Sequence, residues 1–309
     1  MQKQIDKELI EDIAIGYGIS PSFVEKDLYV VDVLKVISEL NFDDANIIFS
    51  GGTCLSKAYK KIKRFSEDID FRINTSHNFT RAEKRNLRAF VITALNTVEE
   101  FKVLENTLIK RNESNFFSID IEYSKSFEIN QALRPNLKLE FTFDNVLLSV
   151  QKLEVKSIIS EFVKDYPSTY IDCISPVETA ANKLSALLWR IDIKDRTKKS
   201  GGIENDPTIM RHLHDLSALE NEVLNSDFIT ILNSSFEMDK GRHGSNYHRE
   251  LKEFLKITLD KLIQDKEYKK EYELFVNSMS YAKTAEMITF DSAIKSLAKI
   301  IEYVSIANK

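Results

Sequence analysis

Glycine is scarce in this chain, and its scarcity limits the folds that the chain can use. Only eight of the 309 residues are glycine, whereas roughly 7% is typical of proteins. The dinucleotide-binding fingerprint needs three spaced glycines after a strand, and a phosphate-binding loop needs a glycine directly before its lysine. The sequence has neither arrangement, and in the nearest match to the loop Ser56 stands directly before Lys57. Both devices are therefore excluded, which draws attention to the adjacent pair Gly51-Gly52.

The composition is that of a folded protein with no general affinity for polyanions. Hydrophobic residues make up 43% of the chain and charged residues 29%, and the net charge is -5. A chain of this length supports two or three cores, and any contact with nucleic acid must be local. Cys54 and Cys173 have no metal-type spacing, which fits a reducing compartment. With no apolar stretch of 18 residues, we expect no signal peptide, no membrane contact and a cytoplasmic location.

The periodicity of apolar residues predicts three regions and an α+β fold. We expect a helical N-terminal segment at 1–40, a core of mixed strands and helices at 41–165, and a helical C-terminal domain at 166–309. Within the core, a helix is expected from the glycine pair to about Lys63 and another at 80–101. Strands are expected at 47–49, 68–73, 103–110, 116–123, 137–143 and 152–159.

One predicted strand carries two carboxylates on the same face. Because residues two apart in a strand point the same way, Asp68 and Asp70 emerge together while Ile69 and Phe71 face the core. Neighbouring carboxylates repel each other, and a bound divalent cation would relieve that repulsion. Hard oxygen ligands suit Mg²⁺ or Mn²⁺ together with a phosphate-bearing substrate. The alternative is a pair of solvent-facing acids near a strand end.

The segment before this strand is a second candidate feature. A strand that ends in Ser50 and enters a helix through Gly51-Gly52-Thr53 allows main-chain N–H groups to approach a phosphate closely. The hydroxyl of Thr53 can donate a further hydrogen bond. An ordinary strand-to-helix turn capped by Thr53 is the alternative explanation.

A cluster of basic residues lies between the turn and the carboxylate strand. Its members are Lys57, Lys60, Lys61, Lys63 and Arg64. Such a cluster forms either the solvated face of a helix or a positive rim for a polyphosphate or an RNA backbone. The sequence favours neither interpretation.

These segments together resemble a known family. Gly51-Gly52-Thr53 followed by residues 64–71 (RFSEDIDF) is similar to the opening motif of the AbiEii/AbiGii-type nucleotidyltransferase toxins, members of the DNA polymerase β-like nucleotidyltransferase superfamily. Segments 137–141, 176–187 and 211–216 resemble the later family motifs. His212 departs from the pattern, because the family often has Asp at that position. The resemblance implies a polymerase β-like mixed sheet with flanking helices.

The resemblance also implies site residues. The implied catalytic residues are Asp68, Asp70, Glu140, Lys183 and Asp215, of which the first three would hold Mg²⁺ or Mn²⁺. The implied nucleotide-binding residues are Gly51, Gly52, Thr53, Ser66, Lys183 and Arg190. Asp120 and Glu122 form a second acidic pair and are the alternatives to Glu140 as the third carboxylate.

The helical candidates also have ordinary explanations. Lys183 lies on a helix whose apolar stripe includes Leu184 and Leu187, and a lysine in such a helix is usually solvated. Asp215 follows Arg211 by four residues, the spacing of an ordinary helix ion pair. The resemblance instead makes Lys183 a triphosphate contact and places Asp215 beside it.

The function implied is transfer of a nucleoside monophosphate from an NTP to an acceptor, with release of pyrophosphate. The acceptor would be RNA, such as a tRNA end, or a protein. The chain would act as the toxin of a bacterial toxin–antitoxin or phage-defence system, with a cognate antitoxin protein as partner. The alternatives are a small-molecule nucleotidyltransferase of the antibiotic-modifying type and a non-catalytic module that binds a nucleotide or a partner.

Overall fold

Residues 6–66, 68–244 and 248–307 are described by the structure, a computed structural model. The chain divides into two units, Met1–Ile174 and Ser175–Lys309. Glu67, which belongs to the RFSEDIDF motif, lies outside the described residues. A mixed sheet with helices forms the first unit, and the second unit is helical.

The first unit is built on a sheet that has seven strands within the described residues. These strands are β1 (Ala45–Ser50), β2 (Asp68–Thr75), β3 (Phe101–Arg111), β4 (Phe116–Tyr123), β5 (Leu137–Phe143), β6 (Gln151–Lys156) and β7 (Ser168–Cys173). Their order in the sheet is β3-β4-β5-β2-β1-β7-β6. The central strand β2 pairs antiparallel with β1 and parallel with β5. This mixed sheet with helices confirms the expected α+β class.

Aromatic packing fixes the register of the strands that carry the candidate site. Phe71 on β2, Phe141 on β5 and Phe117 on β4 are register partners and are almost fully buried. The ring centroids of Phe71 and Phe141 are 4.8 Å apart, and those of Phe117 and Phe141 are 4.6 Å apart. A slip of one residue would move all three rings to the opposite face of the sheet. Their burial therefore holds the intervening residues on that opposite face.

The first unit has four α-helices within the described residues. They are α1 (Lys7–Tyr17), α2 (Pro21–Ser38), α3 (Gly51–Lys57) and α4 (Arg81–Leu95). Apolar residues of α2 and α4, such as Leu34 and Val91, belong to the same core as Phe71. Helix α4 begins with a capping box between Thr80 and Glu83, which satisfies two main-chain donors at its start. Helices α2 and α4 therefore cover the apolar face of the sheet, and the carboxylates lie on its other face.

Three predicted boundaries differ from the structure. Helix α3 ends at Lys57 rather than near Lys63, and Lys60 adopts a positive φ of 52°, a conformation that does not continue a helix. Helix α4 ends at Leu95 rather than at 101. Beyond residue 165, where the mixed core was expected to end, β7 pairs antiparallel with β6 and contacts β1. The sheet therefore extends into the segment that was expected to begin the helical domain.

The second unit has seven α-helices within the described residues. They are α5 (Pro176–Asp192), α6 (Met210–Ala218), α7 (Glu220–Val223), α8 (Ser226–Asp239), α9 (Leu251–Gln264), α10 (Glu267–Met279) and α11 (Phe290–Ala307). Helix α5 packs against α6, α8 and α9. It buries Leu184, Leu187 and Leu188 completely. Across the described ranges of the chain, none of the helices has the length and apolar character needed to cross a membrane.

Candidate active site

Three carboxylates lie side by side on two neighbouring strands of the first unit. Asp68 and Asp70 alternate on β2 with Ile69 and Phe71, which are each 1% exposed. In the parallel pairing of β2 with β5, Asp70 is the register partner of Glu140. Alternation and register therefore place Asp68, Asp70 and Glu140 on one face of the sheet, as the strand pattern predicts.

The same register separates Glu140 from its two alternatives. Asp120 and Glu122 lie on β4, which is separated from β2 by β5. Neighbouring strands are about 4.8 Å apart, so a residue on β4 is about twice as far from β2 as one on β5. Ser118, not an acid, is the β4 partner of Glu140. The topology thus favours Glu140 over the β4 acids as the third carboxylate.

The basic side chains of Lys138 and Arg134 contact the carboxylates. The ammonium group of Lys138 forms an ion pair with Glu140 and lies 4.0 Å from Oδ1 of Asp68. The guanidinium Nη1 of Arg134 lies 3.7 Å from the same oxygen. The side chain of Asp68 is 12% exposed and that of Glu140 is 24% exposed. Cations of the chain itself thus offset part of the repulsion among the three acids.

The turn that precedes α3 lies against the same carboxylates. Ser50, the last residue of β1, is the register partner of Asp70. Gly51 has a φ of +74°, and a Cβ atom built on it would stand 2.0 Å from Oδ2 of Asp70. A Cβ atom on Gly52 would stand 2.8 Å from Nη2 of Arg64 and 3.2 Å from Oγ of Ser66. Each glycine therefore makes room for a side chain of this protein.

Thr53 has a structural role that the sequence did not reveal. Its hydroxyl donates a 2.5 Å hydrogen bond to the main-chain carbonyl of Asp68, and its side chain is buried. This bond fastens the start of α3 to the start of β2. A hydrogen bond from this hydroxyl to a phosphate, as the sequence led us to expect, would therefore have to replace a contact made inside the protein.

The basic cluster is not the solvated face of a helix. Lys57 forms an ion pair with Asp27, and both side chains are nearly buried. Arg64 is 3% exposed, and its Nη1 donates a 2.8 Å hydrogen bond to the carbonyl of Phe65. The exposed members, Lys60, Lys61 and Lys63, lie in the irregular segment after α3. Of the five residues of the basic cluster, these three lysines are the ones that present charge at the surface.

The candidate residues of the second unit meet in a buried ion pair. Nζ of Lys183 on α5 lies 2.8 Å from Oδ2 of Asp215 on α6, with side-chain exposures of 10% and 0%. Nδ1 of His214 lies 3.2 Å from the other oxygen of that carboxylate. Asp215 thus contacts Lys183, a contact that the helix spacing with Arg211 does not predict. Arg190 lies farther along α5 and forms an ion pair with Asp206.

His212, the departure from the family pattern, lies in this same charged region. Both of its ring nitrogens are buried, and neither has a hydrogen-bond partner in the described part of the chain. Burial lowers the pKa of His212 well below its ordinary value, and the charges of Lys183, Arg211 and Arg190 lower it further. The imidazole is therefore neutral at neutral pH. The sequence shows that His212 departs from the family pattern, but it does not show that the ring is buried beside charged groups.

The carboxylates have the chemistry of a divalent metal site. Their oxygen atoms are the hard ligands that Mg²⁺ and Mn²⁺ prefer. Among the described residues, no group of three or more His, Cys, Asp or Glu side chains is already arranged to hold a metal ion. The ion pair between Glu140 and Lys138 occupies the position between the two strands. The donor set fits a metal, provided that Lys138 moves.

The fold of this chain is that of a known class of nucleotidyltransferase structures. The structure is similar to that of MenT4, a nucleotidyltransferase toxin from Mycobacterium tuberculosis H37Rv, with a TM-score of 0.65. The similarity covers 97% of this chain and 90% of that chain at 14% sequence identity, so it shows the fold alone. No curated protein matches the sequence.

The sequence itself identifies the family within that class. The sequence model of the nucleotidyl transferase AbiEii toxins of type IV toxin–antitoxin systems matches residues 33–296. The chain belongs to this family. It is a nucleotidyltransferase and the toxin of a type IV toxin–antitoxin system, which confirms the resemblance seen in the motifs.

Proposed function

We propose that this toxin transfers a nucleoside monophosphate from an NTP to RNA, such as a tRNA end, using Mg²⁺ or Mn²⁺ held by Asp68, Asp70 and Glu140. The observation that carries the proposal is the register of β2 and β5, which aligns Asp70 with Glu140 on the face opposite the phenylalanine stack. Membership of the family supports NTP as the substrate and an antitoxin as the partner.

The reaction exchanges one phosphoester bond for another. The acceptor hydroxyl oxygen forms a bond to the α-phosphorus of the NTP, the bond between that phosphorus and the bridging oxygen breaks, and pyrophosphate leaves. Divalent metal, when bound, stabilises the charge that develops on the attacking and leaving oxygens. We assign to Glu140 the acceptance of the hydroxyl proton, since its carboxylate is 24% exposed and lies beside Asp70 in the register.

The remaining candidates would hold the nucleotide. We propose that Lys183 contacts the triphosphate as a mobile point charge and that Asp215, 2.8 Å from its Nζ, positions it. Arg190, which is already paired with Asp206, would extend the contact. In the first unit, Gly51, Gly52, Thr53 and Ser66 would shape the turn beside the metal ligands. Thr53 would do so through its bond to the Asp68 carbonyl.

RNA is the acceptor that we propose over a small molecule or a protein. The net charge of -5 requires any RNA contact to be local, and the exposed lysines 60, 61 and 63 lie in the irregular segment after α3. Lysines that neutralise phosphates make binding depend strongly on salt. We also propose a role in phage defence, which is supported by membership of the toxin–antitoxin family.

The first experiment tests the metal ligands. We expect Mg²⁺ with an NTP to raise the melting temperature of the wild type but not that of Asp70→Asn. We also expect nucleotide transfer to fall at least 100-fold in the variant. Residues that only support metal ligands typically cost about 10–100-fold. Asp172→Asn is the matched control, because it removes a carboxylate charge from β7, which β1 separates from β2 in the same sheet. Equal stabilisation of the wild type and Asp70→Asn would contradict the metal assignment.

A second experiment identifies the acceptor. The protein is incubated with each labelled NTP in turn and with total RNA, and the labelled species are separated by size. We expect an RNA band to acquire label with one preferred NTP, and the label to be absent with Asp70→Asn. Label on protein alone, or on a small molecule alone, would show that RNA is the wrong acceptor while leaving the transfer chemistry intact.

A further inference from the structure

Lys138 lies among the carboxylates, and the proposed reaction gives this lysine no role. It is the β5 register partner of Asp68 and the β4 partner of Asp120, and it precedes Glu140 by two residues. Its ammonium group is paired with Glu140 and lies 4.0 Å from Oδ1 of Asp68. The side chain thus lies between two of the three proposed metal ligands, one on each strand.

Lys138 is also held more closely than the other cation at the site. Its side chain is 23% exposed, whereas that of Arg134 is 49% exposed. Arg134 lies 3.7 Å from Asp68 on β2, whereas Lys138 contacts a carboxylate on each strand. Since Lys138 and Glu140 are two residues apart on β5 and share one face, the register that aligns Glu140 with Asp70 also places Lys138 beside them.

We propose that Lys138 is a resident counter-ion of the carboxylate row, that the divalent metal displaces it, and that its ammonium group then contacts the phosphates of the nucleotide. The inference rests on the proposed metal site and adds a residue that links metal binding to nucleotide binding. It assigns to Lys138 a role that the motif comparison left open.

Electrostatics requires the displacement. An ammonium group and a divalent cation cannot share the same carboxylate oxygens, because like charges at contact distance repel strongly in a site of low dielectric. The flexible four-carbon stem allows Nζ to move while the main chain of β5 remains in the sheet. The phenylalanine stack on the opposite face holds the strand in place during that movement.

The phosphates of the nucleotide are the anions that the displaced ammonium group of Lys138 contacts in this proposal. Once the metal neutralises Asp68 and Glu140, Lys138 has lost the two carboxylates that it contacts in the structure, and the phosphates of the nucleotide are the anions that arrive next. Metal therefore binds against competition from Lys138, and it releases a phosphate-binding group when it succeeds. Because such coupling is reciprocal, phosphate must tighten metal binding by the same factor.

The test compares the wild type with Lys138→Met, using Mn²⁺ alone and then inorganic tripolyphosphate as probes in titration calorimetry. We expect Lys138→Met to bind Mn²⁺ about tenfold more tightly than the wild type when no phosphate is present. We also expect the increase in tripolyphosphate affinity that Mn²⁺ causes to be smaller in the variant. Lys138→Arg keeps the charge and should bind Mn²⁺ as weakly as the wild type.

Lys102→Met is the matched control, because Lys102 pairs with Glu122 on the neighbouring strands β3 and β4, with Nζ 3.9 Å from the carboxylate. It should leave both affinities unchanged. Lys138→Gln repeats the measurement with a polar side chain if the methionine variant fails to fold.

The possible failures are distinguishable. If the wild type binds Mn²⁺ in a manner that depends on Asp70, and Lys138→Met binds it no more tightly, the counter-ion role is wrong and the metal site stands. If no Mn²⁺ binding depends on Asp70, the metal site and the counter-ion role are both wrong.

Discussion

Gly51 shows how a single residue connects the backbone of the turn to the chemistry of the site. Its φ of +74° lies in the left-handed region, and a Cβ atom there would overlap Oδ2 of Asp70 at 2.0 Å. Glycine is thus required twice, once for the conformation and once for the space. The adjacent glycines stood out in a chain with few of them, but the sequence indicated an approaching phosphate, whereas the structure brings a carboxylate to this position.

Replacement of Gly51 by alanine separates the two requirements when it is compared with Gly18→Ala. Gly18 has a φ of +67° but no atom within 4 Å of its added Cβ, so its substitution should cost only the conformational strain, about 1–2 kcal/mol of unfolding free energy. Gly51→Ala should cost more, because Asp70 must move, and its Mn²⁺ affinity should fall at least tenfold in calorimetry. Wild-type Mn²⁺ affinity in a folded Gly51→Ala protein would show that Asp70 is not a ligand.

At the scale of elements, local pattern predicted the strands of the site and missed what depends on distant contacts. The alternation of Asp68 to Ile73 and of Leu137 to Phe143 was sufficient, because one face of each strand is buried and the other is polar. Strand β7 was missed, since it is short and joins the sheet through β1, more than 100 residues earlier in the chain. The partner of the Thr53 hydroxyl lies 15 residues away, beyond what a capping pattern reveals.

The contacts among charged groups were the least predictable part of the site. Lys138 and Glu140 are two residues apart and therefore share a face of β5, but the choice of the partners of Lys138 depends on the register between strands. Likewise, the spacing of Arg211 and Asp215 indicated an ordinary helix pair, while the packing of α5 on α6 brings Lys183 to Asp215. Only the family motifs had joined those two residues.

The ion pair between α5 and α6 permits a test of structure and function together. Lys183→Met leaves the fully buried carboxylate of Asp215 without its ammonium partner and should lower the unfolding free energy by about 3–5 kcal/mol. The double variant Lys183→Met, Asp215→Leu should recover most of that loss, because no uncompensated charge remains buried. Both proteins should be inactive, since the proposed triphosphate contact is absent from each.

Denaturant unfolding measures these differences, and Lys299→Ala provides the control. Lys299 on α11 pairs with Glu220 at 2.8 Å, but its side chain is 67% exposed, so its loss should cost less than about 1 kcal/mol. A Lys183→Met protein as stable as the wild type would contradict the buried pair. Transfer activity in the stable double variant would remove Lys183 from the catalytic set.

At the scale of the whole molecule, the proposed roles are divided between the two units. Asp68, Asp70 and Glu140 belong to Met1–Ile174, whereas Lys183 and Asp215 belong to Ser175–Lys309. The first unit has its own core, in which α2 and α4 pack with the sheet. Metal binding is therefore expected not to require the second unit, whereas nucleotide transfer is expected to require both.

A fragment that ends at Ile174 tests this division. Because all three proposed ligands lie within it, the folded fragment should bind Mn²⁺ with the affinity of the whole chain, within about threefold, yet transfer no nucleotide because Lys183 is missing. Circular dichroism establishes folding, calorimetry measures Mn²⁺, and Asp70→Asn in the same fragment shows that binding occurs at the carboxylate row. A folded fragment that has lost Mn²⁺ binding would mean that a ligand comes from residues after 174. A fragment that still transfers nucleotide would mean that the phosphate contacts of the first unit, including Lys138, suffice without Lys183.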